Sequence, residues 1–227
     1  MFKPADLFDL KQTEHAALFD GVEFSWEVLK RIKDYVETTV QPMDNGTIES
    51  NAFIGPNVFI GEGTVIEDGA MIKGPAIIGR NCQIRHNAYI REHVIIGDNC
   101  VIGNSCEFKN AILFNNCQVP HFNYVGDSIL GYKAHLGAGV VLSNFRSLPG
   151  NVMVKVNGLP RDTGLRKFGA LIGDGADIGC NSVLNPGSVI GRSAVIYPGV
   201  SWRGFLPENH IAKNKGEIKV VMKLPRN

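Results

Sequence analysis

The stretch TIESNAFIGPNVFIGEGTVIEDGAMIKGPAIIG, residues 47–79, repeats with a period of six. Isoleucine stands at 48, 54, 60, 66, 72 and 78, and the same beat runs on through 84, 90, 96 and 102. Four residues after each isoleucine comes a smaller side chain: Ala52, Val58, Thr64, Ala70, Ala76, Cys82, Ala88, Val94, Cys100 and Cys106. A period of six matches neither the 3.6 of an α-helix nor the simple alternation of a hairpin, and it points to a parallel β-helix. Each short strand then forms one flat side of a coil, the isoleucine fills the interior and the small residue fits near the corner. Coil stacks on coil, so backbone pairing and core both continue along the axis.

The pattern returns at Ile172, Ile178, Leu184, Ile190 and Ile196, partnered by Ala176, Ser182, Ser188, Ala194 and Val200. Between the two runs the count slips. Steps of five, Phe108 to Leu113 and Val125 to Leu130, replace steps of six, which predicts a continuing coil with two tightened corners. Into this section falls PHFNYVGD, residues 120–127. The chain divides into an N-terminal helical segment (1–44), the coil (45–203) with a loop excursion at 145–170, and a basic tail (204–227) carrying Lys213, Lys215, Lys219, Lys223 and Arg226. Within the first, Trp26, Leu29, Ile32, Val36 and Val40 are spaced as one face of an amphipathic helix. Within the excursion, VMVKVNGLP reads as a hairpin turning at Asn157-Gly158.

With 227 residues and 44% apolar content the chain can bury a substantial core, and a net charge of +1 gives no general attraction to nucleic acid or an anionic membrane. No apolar run is long enough to span a bilayer, and MFKPADLFDLKQTEH lacks a signal-peptide pattern, so a cytoplasmic location is expected. Cys82, Cys100, Cys106 and Cys117 occupy the small-residue position of the beat and read as core residues rather than a redox pair or zinc site.

If three hexads make a turn, residues eighteen apart share a face. Phe59, Ile77 and Ile95 then form an outward apolar column that the N-terminal helix or another subunit should cover. Lys73, Arg91 and Lys109 form a basic column. Neighbouring coils are about 4.8 Å apart, so like charges stacked there repel by roughly 1 kcal/mol per pair in water unless an anion offsets them. The column therefore suggests a phosphate site, against the plainer reading of a solvated charged ladder. His121 follows Val119 by two and is placed near a corner in the company of Tyr124, Asp127, Arg91 and Lys109, where an imidazole suits proton transfer near neutral pH.

The run NSCEFKNAILFNNCQVPHFNYVGDSILGYKAHLGAGVVLSNF, residues 104–145, with its HxxYxGD motif, lysine and GAG, resembles the acetyltransferase half of bifunctional N-acetylglucosamine-1-phosphate uridyltransferase/glucosamine-1-phosphate N-acetyltransferases. It is similar as well to the C-terminal half of related sugar-1-phosphate nucleotidylyltransferases. The resemblance implies a left-handed parallel β-helix, a homotrimer, and acetyl-CoA as co-substrate with no metal required. It implies that Arg91, Lys109, Lys167 and Tyr124 hold a sugar phosphate, that His121 is the general base, and that Asn144 positions amine and thioester. Ala138 and Cys180 would meet acetyl-CoA. His135 stands where the family has a sugar-binding asparagine. The family's nucleotidylyltransferase half has no counterpart in this sequence, so a separate chain would supply that step.

The implied reaction is direct attack of a hexosamine-1-phosphate amine, glucosamine-1-phosphate foremost, on acetyl-CoA, in the synthesis of UDP-N-acetylglucosamine for cell-envelope precursors. An acyl-enzyme on Cys180 would need an activating base beside it. Three other readings use the same fold. One is a hexapeptide-repeat carbonic anhydrase binding zinc through histidines drawn from His86, His93, His121 and His135. Another is a scaffold or regulatory subunit that has lost turnover. The last is an acetyltransferase on a nucleotide-linked amino sugar.

Overall fold

The computed structural model describes residues 1–214. From Met43 onward the chain winds as a parallel β-helix with three flat faces. Face I carries strand segments at 53–54, 71–72, 89–90, 107–108, 124–125, 141–142, 183–184 and 201–202. Face II runs from Met43–Asp44 through Val58–Ile60, Ala76–Ile78 and Val94–Ile96 to Phe205–Leu206, and face III from Thr47–Ile48 to Ile211–Ala212. Face III alone is a nine-stranded sheet. The coil therefore takes in residues 204–212, which the sequence reading gave to the tail. Lys213 is described, whereas Lys215, Lys219, Lys223 and Arg226 lie outside the described residues.

The register explains the period. Ile54 pairs beside Ile72, Ile72 beside Ile90 and Ile60 beside Ile78, so identical side chains stack along the axis and their shapes repeat. The isoleucines from Ile60 to Ile102 that keep the beat are fully buried, and each such burial stabilises the coil by about 1.5–3 kcal/mol. Cys82, Cys100 and Cys117 stack inside one corner, where each thiol donates to a backbone carbonyl: Gly97, Phe114 and Gly131 respectively. Cys82 is pushed up by its contact with the Cys100 thiol and by burial, Cys100 chiefly by burial, so both stay protonated and inert.

The two steps of five are tightened corners between faces I and II. In the regular turns this corner has a break in strand structure, as at Lys73-Gly74-Pro75. In the slipped turns, Glu107–Leu113 and Tyr124–Leu130 run through it without interruption and pair with each other residue for residue, Lys109 beside Gly126 and Ala111 beside Ser128. One corner residue in each adopts a left-handed conformation to make the bend: Asn110 at φ 47° and Asp127 at φ 46°. Asparagine and aspartate tolerate that region better than most side chains.

The apolar column on face II is covered from within the chain. Ile77, Ile95, Ile112, Ile129, Leu171 and Val189 pack against the N-terminal arm and the excursion in a second core. The arm is less regular than expected: Ser25–Lys30 is a 3-10 helix and Ile32–Thr39 an α-helix, yet Trp26, Leu29, Ile32 and Val36 are all buried as the spacing required. The excursion forms the antiparallel pair Met153–Val156 and Leu159–Asp162, turning through Asn157 and Gly158, both at positive φ, as a tight hairpin demands. Faces I and III stay open, with Phe53, Met71, Val65 and Ile211 exposed. Among the described residues no helix is long and apolar enough to cross a membrane.

Candidate active site

Two corners flank face I, and the residues singled out from the sequence divide between them. The corner between faces I and II holds the basic column. Lys73, Arg91 and Lys109 follow Ile72, Ile90 and Phe108, which stack through Ile90 pairing beside both its neighbours. The column is not bare charge. Arg91 Nη1 lies 2.9 Å from Glu107 Oε1 and its Nη2 3.5 Å from Glu92, while Lys109 Nζ is 3.8 Å from Asp127 Oδ1. Burial pushes the Glu92 carboxyl up, but its own backbone N–H and the charges of Arg91, Lys73 and Lys109 outweigh that and hold it below its ordinary value. Repulsion within the ladder is therefore relieved by carboxylates on neighbouring turns, and it does not by itself require a bound anion.

The excursion supplies what the column lacks. The chain leaves the coil after Asn144 and returns at Lys167, where Phe145 and Lys167 form an antiparallel bridge and the Phe168 N–H donates to the Asn144 carbonyl at 2.9 Å. Lys167 is thereby set at the neck beside Asn144, exposed and without an ion-pair partner among the described residues. The Asn144 amide donates to Tyr124 Oη at 3.2 Å and to Asp127 Oδ2. Gly126 makes this geometry available: a Cβ there would meet both Tyr124 Oη and Asn144 Nδ2 at 2.6 Å. Burial raises the Tyr124 phenol above its ordinary value, so it remains a neutral hydroxyl at neutral pH.

The corner between faces III and I holds the second group. His121 ends the strand Gln118–His121, pairs beside Asn104 and is exposed, its ring flanked by Phe122 at 6.5 Å between centroids. The imidazole has no hydrogen-bond partner among the described residues. Its backbone is fixed instead: the N–H donates to Asn123 Oδ1 at 3.1 Å and the carbonyl accepts from Gly139 at 3.0 Å. Asn123 is buried and its Nδ2 donates to the Gly137 carbonyl at 2.8 Å, locking the turn from inside. Gly103 is needed opposite, since a Cβ there would run into the Pro120 carbonyl. Ala138 and Cys180 stack along this corner, joined by the bond from Asn181 N to the Ala138 carbonyl at 2.8 Å. His135 lies on face III with Nδ1 2.8 Å from Asp177 Oδ1.

The structure thus groups Arg91, Lys109, Tyr124, Asn144 and Lys167 at one corner and His121, Ala138 and Cys180 at the other. It does not set His121 among the basic column, as the sequence reading placed it. Asp127 was placed with Lys109 from the sequence, whereas Glu92, Glu107, Asn110, Asn123 and Asp177 were missed as partners. The one available signal was that Asn110 and Asp127 fall at the two steps of five. Within one chain, no group of three His, Cys, Asp or Glu side chains among the described residues is arranged to hold a metal ion.

Comparison with known proteins agrees with the repeat. Residues 72–159 match the family described as the GMPPB C-terminal domain, and residues 47–74 the hexapeptide repeat of succinyl-transferase. A bifunctional sugar-1-phosphate nucleotidylyltransferase/acetyltransferase of Sulfurisphaera tokodaii is 38% identical over 91 residues, covering 40% of this chain and 23% of that protein. A bifunctional protein GlmU of Methanococcus maripaludis is 33% identical over 115 residues, covering 51% of this chain and 28% of that protein. The chain spans about a quarter of the length of these relatives. Among solved structures, an Arabidopsis UDP-N-acetylglucosamine acyltransferase is similar at a TM-score of 0.41 and 15% identity, over 75% of this chain and 70% of that one. The chain carries a hexapeptide repeat and is similar over its central coil to bifunctional sugar-1-phosphate nucleotidylyltransferase/acetyltransferases.

Proposed function

We propose that the chain is an acetyl-CoA-dependent N-acetyltransferase acting on a hexosamine-1-phosphate, with glucosamine-1-phosphate the first candidate. The observation that carries this reading is the neck of the excursion, which sets Lys167, without an ion-pair partner among the described residues, beside Asn144, itself bonded to Tyr124. Lys109, Arg91 and Lys167 would meet phosphate oxygens, and the neutral Tyr124 hydroxyl would donate to one of them. At the other corner the free imidazole of His121 takes a proton from the attacking amine as the N–C bond forms. The thioester C–S bond then breaks, the thiolate of CoA leaves, and the proton passes to it. Ala138 and Cys180 border the path of the CoA arm. The relatives' printed names, which pair nucleotidyl and acetyl transfer, support this class of substrate.

His121 and Lys109 belong to corners at opposite ends of face I. Faces I and III keep exposed apolar side chains, so we place His121 of one copy beside the basic corner of another, in a homotrimer whose open faces I and III meet. A separate nucleotidylyltransferase chain would use the product.

The test is thiol release from acetyl-CoA with a panel of amino sugars, with and without 1-phosphate. Turnover confined to the 1-phosphates is expected, and none with any of them sinks the reading. Co-expressed His121→Ala and Lys109→Ala chains should regain activity that neither has alone; no regain would place the site within one chain. A non-catalytic scaffold is favoured by one observation, the engagement of Arg91 by Glu107 and Glu92, and it predicts sugar-phosphate binding without turnover.

A further inference from the structure

We propose that Asp127 is a positioning residue that fixes which way the Asn144 amide faces and where Lys109 can reach; this rests on the acetyl-transfer reading above. The Asp127 side chain is 7% exposed, and its two oxygens divide their partners. Oδ1 accepts from Asn110 Nδ2 at 2.9 Å and lies 3.8 Å from Lys109 Nζ, while Oδ2 accepts from Asn144 Nδ2. An ionised carboxylate only accepts hydrogen bonds, so it dictates that Asn144 turn its NH2 group inward. The flipped amide would set its oxygen against Oδ2, and a buried clash of two acceptors is costly. Tyr124 Oη, 3.2 Å from the same nitrogen, reinforces the choice. The carbonyl Oδ1 of Asn144 is therefore the atom left to face the site, where an acceptor can hold an N–H of the sugar amine and aim its lone pair at the thioester.

The tightened corners make this clamp. Removing one residue from each turn sets Asn110 and Asp127 next to each other in left-handed conformations, beside the paired Lys109 and Gly126. In the regular turn Arg91-Glu92-His93 it is the third residue, His93, that takes the positive φ, and its ring turns to Glu37 on the arm at 3.1 Å. The clamp also touches the arm through Asn110 Nδ2, 3.4 Å from the Leu29 carbonyl.

The experiment uses the full chain. In Asp127→Asn, kcat should fall by about 10²-fold, as for a small misplacement of a reacting group, with the KM for acetyl-CoA unchanged. Exchanging the pair, Asp127→Asn with Asn144→Asp, should recover at least about tenfold of that loss, because the two side chains are coupled. Ile84→Ala, in the buried core of a regular turn, should lower the melting temperature while keeping kcat. Wild-type kcat in Asp127→Asn overturns the proposal, as does an equal kcat loss in Ile84→Ala. An independent readout is hydrogen exchange of the Asn144 side-chain amide by NMR, slow in the wild type and fast in Asp127→Asn. Solvent-like exchange in the wild type itself overturns the clamp whether or not the variant folds. If the wild type turns over no amino sugar, acetyl transfer fails as the function, and the amide exchange still decides the clamp.

Discussion

The turns from Thr47 to Ile102 and the two that follow share one interior, a column of buried apolar side chains under a parallel ladder, and differ by a single residue at a single corner. In the regular turns that corner carries Lys73 and Arg91 outward, and among the described residues Arg91 pairs only with the carboxylates of Glu92 and Glu107. In the slipped turns the same corner draws Asn110, Asp127, Tyr124 and Asn144 into one hydrogen-bonded set, and the excursion adds Lys167. A repeat optimised for stacking leaves its side chains parallel. Convergence needs a departure from the repeat, and here the departure is one residue short rather than a long insertion.

Four measurements press on that contrast. The largest effect belongs to a pair of histidines: His121→Ala, in the slipped section, should lower kcat for acetyl transfer by about 10²–10⁴-fold. His86→Ala, in the regular turns where Nδ1 meets the Asp68 carbonyl, should leave it unchanged. Steady-state thiol release decides, and equal losses in both would erase the distinction between the two regions.

Stability comes next. Phe108 replaces isoleucine at the entrance to the first tightened corner and is fully buried. Phe108→Ala should cost about 3–5 kcal/mol in urea unfolding, and Ile84→Val in a regular turn about 0.5–1.5 kcal/mol. Similar small losses would mean that the slipped core repacks freely.

The basic column can be split in the same way. Lys109→Ala or Lys167→Ala should raise the KM for the sugar phosphate by about 10–100-fold, the worth of a charge-assisted contact, with the KM for acetyl-CoA unmoved. Lys73→Ala, at the regular end of the column, should change neither. A uniform rise in all three would show that the field of the whole column matters, not its position.

The smallest effect concerns the arm over face II. Burial disfavours the His15 imidazolium and lowers its pKa, against the pull of Glu14 and Asp98, and Nδ1 lies 2.9 Å from Tyr35 Oη. The unfolded chain then binds the proton first, so stability is full above the unfolded value near 6.5 and declines as pH falls below it toward the lower folded value. The urea midpoint should drop between pH 7 and pH 5, and His15→Gln should flatten that slope.

Much of this was legible in the residues. The period of six gave a stacked coil, the small residues gave its corners, and the two short steps marked the corners that tighten, while three hexads to a turn rested on the resemblance. The hairpin at Asn157-Gly158 was legible because few residue pairs take two consecutive positive φ angles. Lys167 was not reachable from spacing, since it follows an excursion whose return point depends on how the hairpin packs against the arm. Nor was the pairing of Arg91 with Glu107, which lie sixteen apart on strands paired at eighteen and so meet only diagonally between neighbouring turns.

By itself, then, the sequence determined which side chains face inward and how the coils stack, because packing in a repeating coil is set by neighbours a fixed number of residues apart. The tertiary structure decided that the N-terminal arm covers face II and that Lys167 joins Asn144. It also set His121 at a different corner from the cations. Those outcomes depend on where a chain turns in space, and at a tight corner one residue more or less redirects a side chain without changing the hydrophobic pattern around it.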